Sequence, residues 1–268
     1  MDLQLKGRRA LVTGSSSGIG EAIVRMLTDE GARVVVHGRN RERAEAVASE
    51  IGAAGVAIGE LAEEGVAAKV HGEAIEALGG NVEILINNAG GNSRGNSTKP
   101  PAEIDAEDFV ANYRANTLGA TQLCKLSVPD MVANRFGRIV NVSSAVAMQP
   151  NYMGTDYSAA KAALLNYTLS LAGSLRGVNV TANVLTPGVI MVDGLVRFGR
   201  QRFGDPDMSF DDVAKNLAAL DVFEMPPVGR VGRPEELAMV ACLLVSPLSG
   251  YITGANYRVD GGQVRGLN

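Results

Sequence analysis

Apolar runs alternate along this chain with longer segments in which polar and apolar positions are mixed. Strand-like runs lie near residues 9–13, 33–37, 56–58, 82–87, 138–143, 179–185 and 256–259. Most are separated by helix-length segments such as 40–51, 102–117 and 158–175. This alternation predicts parallel strands with helices on both faces, an α/β doubly wound sheet of about seven strands.

The apolar runs near 82–87 and 138–143 are typical of central strands buried on both faces. Each ends in polar residues, and the carboxyl ends of parallel strands meet in one crevice. We therefore expect the functional site there. The turn-rich segment 90–101 is either a mobile loop or a rim of that site. No linker divides the 268 residues, so residues 1–268 are predicted to form one domain.

A glycine-rich turn follows the first predicted strand in the sequence TGSSSGIG, residues 13–20. Gly14 permits a tight turn, Gly18 permits close approach of a pyrophosphate, and Gly20 permits the next helix to pack closely. The predicted cofactor contacts are Gly14, Ser16, Ser17, Gly18, Ile19 and Gly20. The spacing only approximates the general dinucleotide fingerprint, and a glycine-rich turn without a ligand is the alternative.

The second predicted strand ends in Gly38, Arg39 and Asn40. A carboxylate here would bind the ribose hydroxyls of NAD, whereas an arginine offers a planar fork to the 2′-phosphate of NADP. NADP(H) is therefore favoured, with contacts from Arg39 and Asn40, and NAD(H) is the alternative. In the competing interpretation Arg39 is a solvated loop cation.

Tyr157 lies thirteen residues beyond Ser144, and Lys161 follows Tyr157 by four residues. On a helix they share one face, and the ammonium would favour the phenolate and lower the pKa of Tyr157 towards neutrality. Such a phenol can exchange a proton with a carbonyl or an alcohol. A tyrosine beside a solvated lysine is the ordinary alternative for an isolated pair.

Several motifs occur together in order. Residues 13–20 fit TGxxxGxG, and residues 87–90 read NNAG after the fourth strand. Pro187–Gly188 lies at the turn after the sixth strand, and GANYRVDGG, residues 254–262, lies on the C-terminal strand. With Asn116, Ser144, Tyr157 and Lys161 between them, the chain resembles the short-chain dehydrogenase/reductase family over nearly its whole length, in particular its 3-oxoacyl-[acyl-carrier-protein] reductase-like branch. The resemblance implies a Rossmann-like fold.

The resemblance also implies roles for individual residues. Tyr157 would be the proton donor or acceptor, Ser144 rather than Ser143 would bind the substrate oxygen, Lys161 would also hold the nicotinamide ribose, and Asn116 would hold a water that links Lys161 to solvent. The remaining implied cofactor contacts are Glu60, Asn88, Ala89, Gly90, Tyr157, Lys161, Pro187, Gly188, Val189 and Ile190.

Two positions depart from the family pattern. Glu60 replaces an aspartate that meets the adenine amine, and Val192 replaces a threonine that meets the nicotinamide carboxamide, so backbone groups of Val189–Met191 would have to hold that carboxamide. The segment 191–227 corresponds to the substrate lid. Its mixture of Leu195, Phe198 and Phe203 with Arg197, Arg200 and Arg202 indicates a hydrophobic substrate with an anionic end, or an amphipathic insertion with solvated arginines. Met148, Pro150, Tyr152 and Met153 would form the facing wall.

Composition excludes several other classes. A net charge of −4, a pI near 5.4 and the lack of tryptophan argue against a nucleic-acid partner. Cys124 and Cys242 lie in apolar helical patterns, which favours free thiols in a reducing cytoplasm. His37 and His71 show no ligand spacing, so no metal is expected. We find no charged-then-apolar leader and no long uncharged apolar run, so no membrane association is expected.

The leading hypothesis is an NADP(H)-dependent oxidoreductase for a ketone or secondary alcohol of a small to medium, largely apolar substrate. The first alternative is a 3-oxoacyl-carrier-protein reductase, because Arg135 and Arg176 match basic surface positions of those enzymes. An alternative of another class is a non-catalytic dinucleotide-binding sensor or assembly subunit. Helices at 102–134 and 157–175 and the last strand resemble the family's two interfaces, which predicts a D₂ homotetramer.

Overall fold

The apolar runs form one parallel sheet. The computed structural model describes residues 2–91, 99–220 and 222–266. The strands are β1 Arg9–Val12, β2 Arg33–Gly38, β3 Gly55–Ile58, β4 Ile84–Asn87, β5 Gly137–Val142, β6 Val180–Pro187 and β7 Asn256–Val259. In the sheet they lie in the order β3-β2-β1-β4-β5-β6-β7, and every pair is parallel. β4 and β5 occupy central places, as predicted.

Helices cover both faces of this sheet. Within the described ranges they are α1 Gly18–Asp29, α2 Arg41–Ile51, α3 Val66–Leu78, α4 Ala106–Tyr113, α5 Gly119–Ala133, α6 Thr155–Ser174, α7 Asp193–Phe203, α8 Phe210–Ala219 and α9 Pro234–Val245. Buried residues of α1, α2 and α9 pack on one face and those of α3, α5 and α6 on the other. Because strand side chains alternate, Val12 belongs to the first cluster and Leu11 to the second. The predicted doubly wound, Rossmann-like fold is confirmed.

The segment predicted as one helix over 102–117 is more complex. It starts at Ala106, where Asp105 and Asp108 form a capping box, and a π-helical turn over Arg114–Leu118 joins α4 to α5. The helix therefore begins four residues later than predicted, since the Pro101–Glu103 stretch forms a separate 3₁₀ turn. Of the predicted loop 90–101, residues 92–98 lie outside the described residues.

α7 and α8 lie between β6 and α9, within the segment 191–227. They enclose a small apolar cluster of their own that includes Met191, Val196, Val213, Leu217 and Val231. Cys124 and Cys242 are buried free thiols, as predicted. Among the described residues we find no helix with both the length and the apolarity to cross a bilayer.

Candidate active site

A cavity of about 1200 Å³ opens at the carboxyl ends of the strands. Most of the residues predicted to contact a cofactor or a substrate line it: Gly14, Ser16, Ser17, Gly18, Ile19, Arg39, Asn40, Glu60, Asn88, Ala89, Gly90, Ser144, Tyr157, Lys161, Pro187, Gly188 and Ile190. Gly20, Asn116 and Val189 are not among the lining residues. The fold therefore gathers residues that are far apart in the sequence around one space.

The glycine-rich turn has the shape of an anion cradle. Gly14 and Gly18 adopt φ of 61° and 60°, in the left-handed region that favours glycine. Ser17 begins α1 without a side-chain cap, so the helix's first N–H groups are open to a ligand. Gly20 acts in packing, because a Cβ there would overlap the Gly14 carbonyl oxygen. The turn fits the pyrophosphate of a dinucleotide.

Neighbouring strands fix this turn. Asn88 Nδ2 donates to the carbonyl oxygens of Thr13 and Gly14, at 3.0 Å each. Thr13 Oγ1 accepts from the backbone N–H groups of Asn88 and Ala89. The Asn88 side chain thus holds the turn from behind, and its predicted contact with a cofactor stays a prediction.

Sequence reasoning missed the part played by His37. Its Nδ1 accepts from the Gly14 N–H at 2.9 Å, and the residue is 2% exposed. Burial lowers its pKa to about 4, so the imidazole is a neutral acceptor at physiological pH. The signal was present, since a histidine at the end of an apolar strand beside the turn has little access to water.

At the end of β2, two predicted cofactor residues contact each other. Arg39 Nη1 lies 2.9 Å from Glu60 Oε2, and the Arg39 side chain is 78% exposed. Gly38 is needed for space as well as for charge, because a Cβ there would lie 2.6 Å from Ser16 Oγ. This end of the cavity therefore presents Arg39, paired with Glu60, and no carboxylate at position 38.

Asn40 begins α2, and its Oδ1 accepts from the Arg43 N–H at 2.8 Å. Arg43 also lines the cavity, which sequence reasoning missed. The helix cap explains why asparagine suits position 40 without reference to a ligand.

Ser144, Tyr157 and Lys161 meet where β5 faces α6. The Ser144 hydroxyl interacts with the Tyr157 phenol and acts to lower its pKa, and Lys161 Nζ lies 5.9 Å from the centre of the Tyr157 ring. The Ser143 hydroxyl is used elsewhere, because it donates to the Lys161 carbonyl oxygen at 3.0 Å. Ser144 therefore has the free hydroxyl beside the phenol.

The predicted fall in the pKa of Tyr157 is wrong for the chain alone. Burial raises the pKa of this phenol above its ordinary value, and the Ser144 hydrogen bond lowers it only in part. Burial also lowers the pKa of Lys161 to about 8, and Lys161 Nζ donates to the Val142 carbonyl oxygen at 2.9 Å. Desolvation is the main cause of both shifts.

Asn116 lies in the π-helical turn and is 1% exposed. Its Oδ1 accepts from the Gly91 N–H at 2.8 Å, and its Nδ2 donates to the carbonyl oxygens of Gly91 and Asn112. A Cβ on Gly90 would lie 2.5 Å from Asn116 Oδ1 and 3.1 Å from Lys161 Nζ. Asn116 and Lys161 thus flank Gly90, and π turns of this kind are frequent at functional sites.

The segment after β6 has fewer open backbone groups than expected. The Val189 N–H donates to Gln263 Oε1, and its carbonyl oxygen accepts from the Gly232 N–H. The Met191 N–H donates to the Gly232 carbonyl oxygen. Two of the three N–H groups expected to hold a carboxamide are therefore engaged, and Ile190, between them, lines the cavity. Arg114 and Asp193 also line the cavity and were not predicted, and Arg197, which the sequence placed in the substrate lid, lines it as well.

A family model described as short chain dehydrogenase matches residues 8–201. The chain belongs to the short-chain dehydrogenase/reductase family. It is an oxidoreductase of that family, acting on a carbonyl or alcohol group.

Individual proteins of this family are similar to the chain over nearly its whole length. The 3-oxoacyl-[acyl-carrier-protein] reductase of Aquifex aeolicus is 35% identical, with 98% of this chain and 99% of the relative covered. The structure of L-sorbose reductase from Gluconobacter frateurii with NADPH and L-sorbose has a TM-score of 0.88 at 30% identity, covering 100% of both chains. A 3-oxoacyl (acyl-carrier-protein) reductase from Agrobacterium tumefaciens C58 with NADP bound has a TM-score of 0.84 at 32% identity, covering 97% of this chain and 96% of the other.

Proposed function

We propose that this member of the family transfers a hydride between NADP(H) and the ketone or secondary alcohol of a small to medium, largely apolar substrate. One observation carries the proposal: Arg39 and the group of Ser144, Tyr157 and Lys161 line the same cavity. They follow β2 and β5, which are three strand spacings apart, about 14 Å. An extended dinucleotide suits that separation.

We assign the catalytic roles within this proposal as follows. Tyr157 donates its phenolic proton to the carbonyl oxygen in reduction and accepts it back in oxidation. Ser144 donates a hydrogen bond to the same oxygen as negative charge develops there. Lys161 and Asn116 lie on either side of Gly90 and fix the position of the backbone there. When bound, the nicotinamide supplies or accepts the hydride at the carbon, which balances the proton at the oxygen.

The cofactor preference rests on Arg39. It offers a cation to a 2′-phosphate, and Gly38 removes the carboxylate that would repel that phosphate. The named relatives with NADPH or NADP bound support the same choice. NAD(H) is the alternative that a binding titration decides.

Reduction of a 3-oxoacyl group on a carrier protein is the second candidate, and the curated relative from Aquifex aeolicus favours it. Within one chain, the positions of Arg135 and Arg176 add little support for a carrier-protein substrate. Arg135 precedes β5 and Arg176 precedes β6, so both lie towards the amino ends of the strands, whereas the cavity opens at the carboxyl ends. A carrier protein that contacts them would have to present its acyl group to a neighbouring copy.

The chain carries two exposed apolar surfaces that could mediate self-association. Exposed apolar side chains on the α4 to α6 side include Phe109, Val110, Tyr113, Leu118 and Leu169. A second group, Met239, Leu243, Leu248 and Tyr251, lies on and after α9. Two such surfaces support a homotetramer with D₂ symmetry. Light scattering at micromolar concentration tests this, and a stable monomer would contradict it.

A substrate screen tests the reaction itself. NADPH absorbance is followed with ketose sugars, 3-oxoacyl thioesters and steroid ketones, and in reverse with the alcohols. We expect turnover with at least one substrate, and its loss in Ser144→Ala. NADPH binding without turnover on any substrate would favour the non-catalytic sensor or assembly subunit.

A further inference from the structure

The lid helix α7 presents a cation to the same cavity as the glycine-rich turn. Asp193, Gly194 and Arg197 line that cavity, and they share one face because positions i, i+1 and i+4 lie together on a helix. Val192, just before the helix, lies beside the turn, because a Cβ added to Gly18 would lie 3.2 Å from Val192 Cγ1. The start of α7 therefore lies next to the anion cradle and lines the same cavity.

Arg197 is free to bind a ligand. Its guanidinium makes no hydrogen bond or ion pair with any described residue, and that includes Asp193 one turn earlier. Two other cations of the cavity are engaged: Arg39 pairs with Glu60, and Lys161 donates to Val142. On the same lid helix, Arg200 Nε donates to the Met208 carbonyl oxygen.

The charge at the turn also calls for a cation. The sequence TGSSSGIG contains no lysine or arginine, so the backbone alone faces a pyrophosphate that carries two negative charges. The N-terminus of α1 contributes about half a positive charge. Glu21, in the first turn of α1, is already neutralised by Arg25 at 2.7 Å. A second source of positive charge on the open side of the turn would complete the balance.

We propose that Arg197 binds the pyrophosphate of the cofactor and so holds the lid helix over it. This inference rests on the proposed function, because it needs a dinucleotide in the cavity. It gives this chain a charged contact from the lid where Val192 supplies no hydroxyl.

The test compares two ligands that share a pyrophosphate with one that lacks it. Arg197→Met should weaken both NADPH and NADH by about tenfold, the effect of losing a hydrogen bond to a charged group. It should leave adenosine 2′-monophosphate unchanged. Arg39→Met should show the complementary pattern, weakening NADPH and adenosine 2′-monophosphate but not NADH. Arg202→Met, an exposed position of the same helix outside the cavity lining, is the matched control.

Fluorescence titration of each ligand gives the dissociation constants, and thermal melting shows whether each variant is folded. If Arg197→Met melts early, Arg197→Gln replaces it. Unchanged binding of NADPH and NADH, with only a raised KM for an anionic substrate, would overturn the proposal and assign Arg197 to the substrate. Failure of the unmodified chain to bind either dinucleotide would instead overturn the proposed function.

Discussion

Arg39 gives the sharpest prediction for cofactor choice. Replacing it with methionine keeps an unbranched apolar stem and removes the charged guanidinium. A hydrogen bond to a charged group contributes about 1.5–3 kcal/mol, and the 78% exposure of Arg39 puts it at the lower end. At about 1.4 kcal/mol per decade, Arg39→Met should weaken NADPH binding by about tenfold and leave NADH binding nearly unchanged.

The ion pair with Glu60 adds a second expectation. Glu60→Gln removes a negative charge beside the 2′-phosphate position and frees Arg39 from its partner. Exposed ion pairs contribute about 0–1 kcal/mol, so NADPH binding should tighten by up to about fivefold. Arg41→Met is the control, because Arg41 pairs with Glu45 on the outer side of α2 and does not line the cavity.

The assay is a titration of each purified variant with NADPH and NADH at two salt concentrations. The Arg39 effect should shrink at high salt, because exposed charges are screened. Tighter binding of NADH than of NADPH by the unmodified chain would refute the reasoning. So would Arg39→Met binding NADPH as tightly as the unmodified chain.

Two further predictions follow from His37 and Gly90. Because burial lowers the pKa of His37 from 6.5 to about 4, the unfolded chain binds the proton first, and the free energy of unfolding should fall by about 3 kcal/mol as the pH drops from 6.5 to 4. In denaturant melts, the free energy of unfolding of His37→Leu should depend less steeply on pH over this range. An unchanged pH dependence would disprove the attribution to His37. Gly90→Ala should reduce turnover strongly, because its Cβ would displace Asn116 and Lys161. Gly173→Ala on α6 should keep its turnover, because a Cβ there meets nothing within 4 Å. Equal turnover in the two variants would contradict the geometry.

The strands were predictable because their burial on two faces leaves a simple record in the sequence. β4 carries Ile84, Leu85 and Ile86, β5 carries Ile139, Val140 and Val142, and the structure places both strands at the centre of the sheet. The glycine-rich turn was predictable for a similar reason, since positive φ at Gly14 and Gly18 restricts those positions strongly.

Side-chain pairings at the site were less predictable, because they depend on how separate strands align. Arg39 and Glu60 meet because Gly38 of β2 lies opposite Ile58 of β3, which places the residues after each strand side by side. The spacing of Tyr157 and Lys161 fixes their common helix face but not the depth of the cavity. Burial, which sequence does not report, reverses the expected direction of the Tyr157 pKa shift.

The central claim is that Tyr157 transfers the proton while the cavity binds the dinucleotide independently of it. The most direct measurement is the turnover of Tyr157→Phe on the best substrate of the screen, together with its dissociation constant for NADPH. General acid–base catalysis contributes about 10²–10⁴-fold, so kcat should fall at least about a hundredfold with NADPH binding unchanged. Tyr257→Phe, which removes a hydroxyl outside the cavity lining, should keep its rate. Turnover by Tyr157→Phe close to that of the unmodified chain would contradict the account.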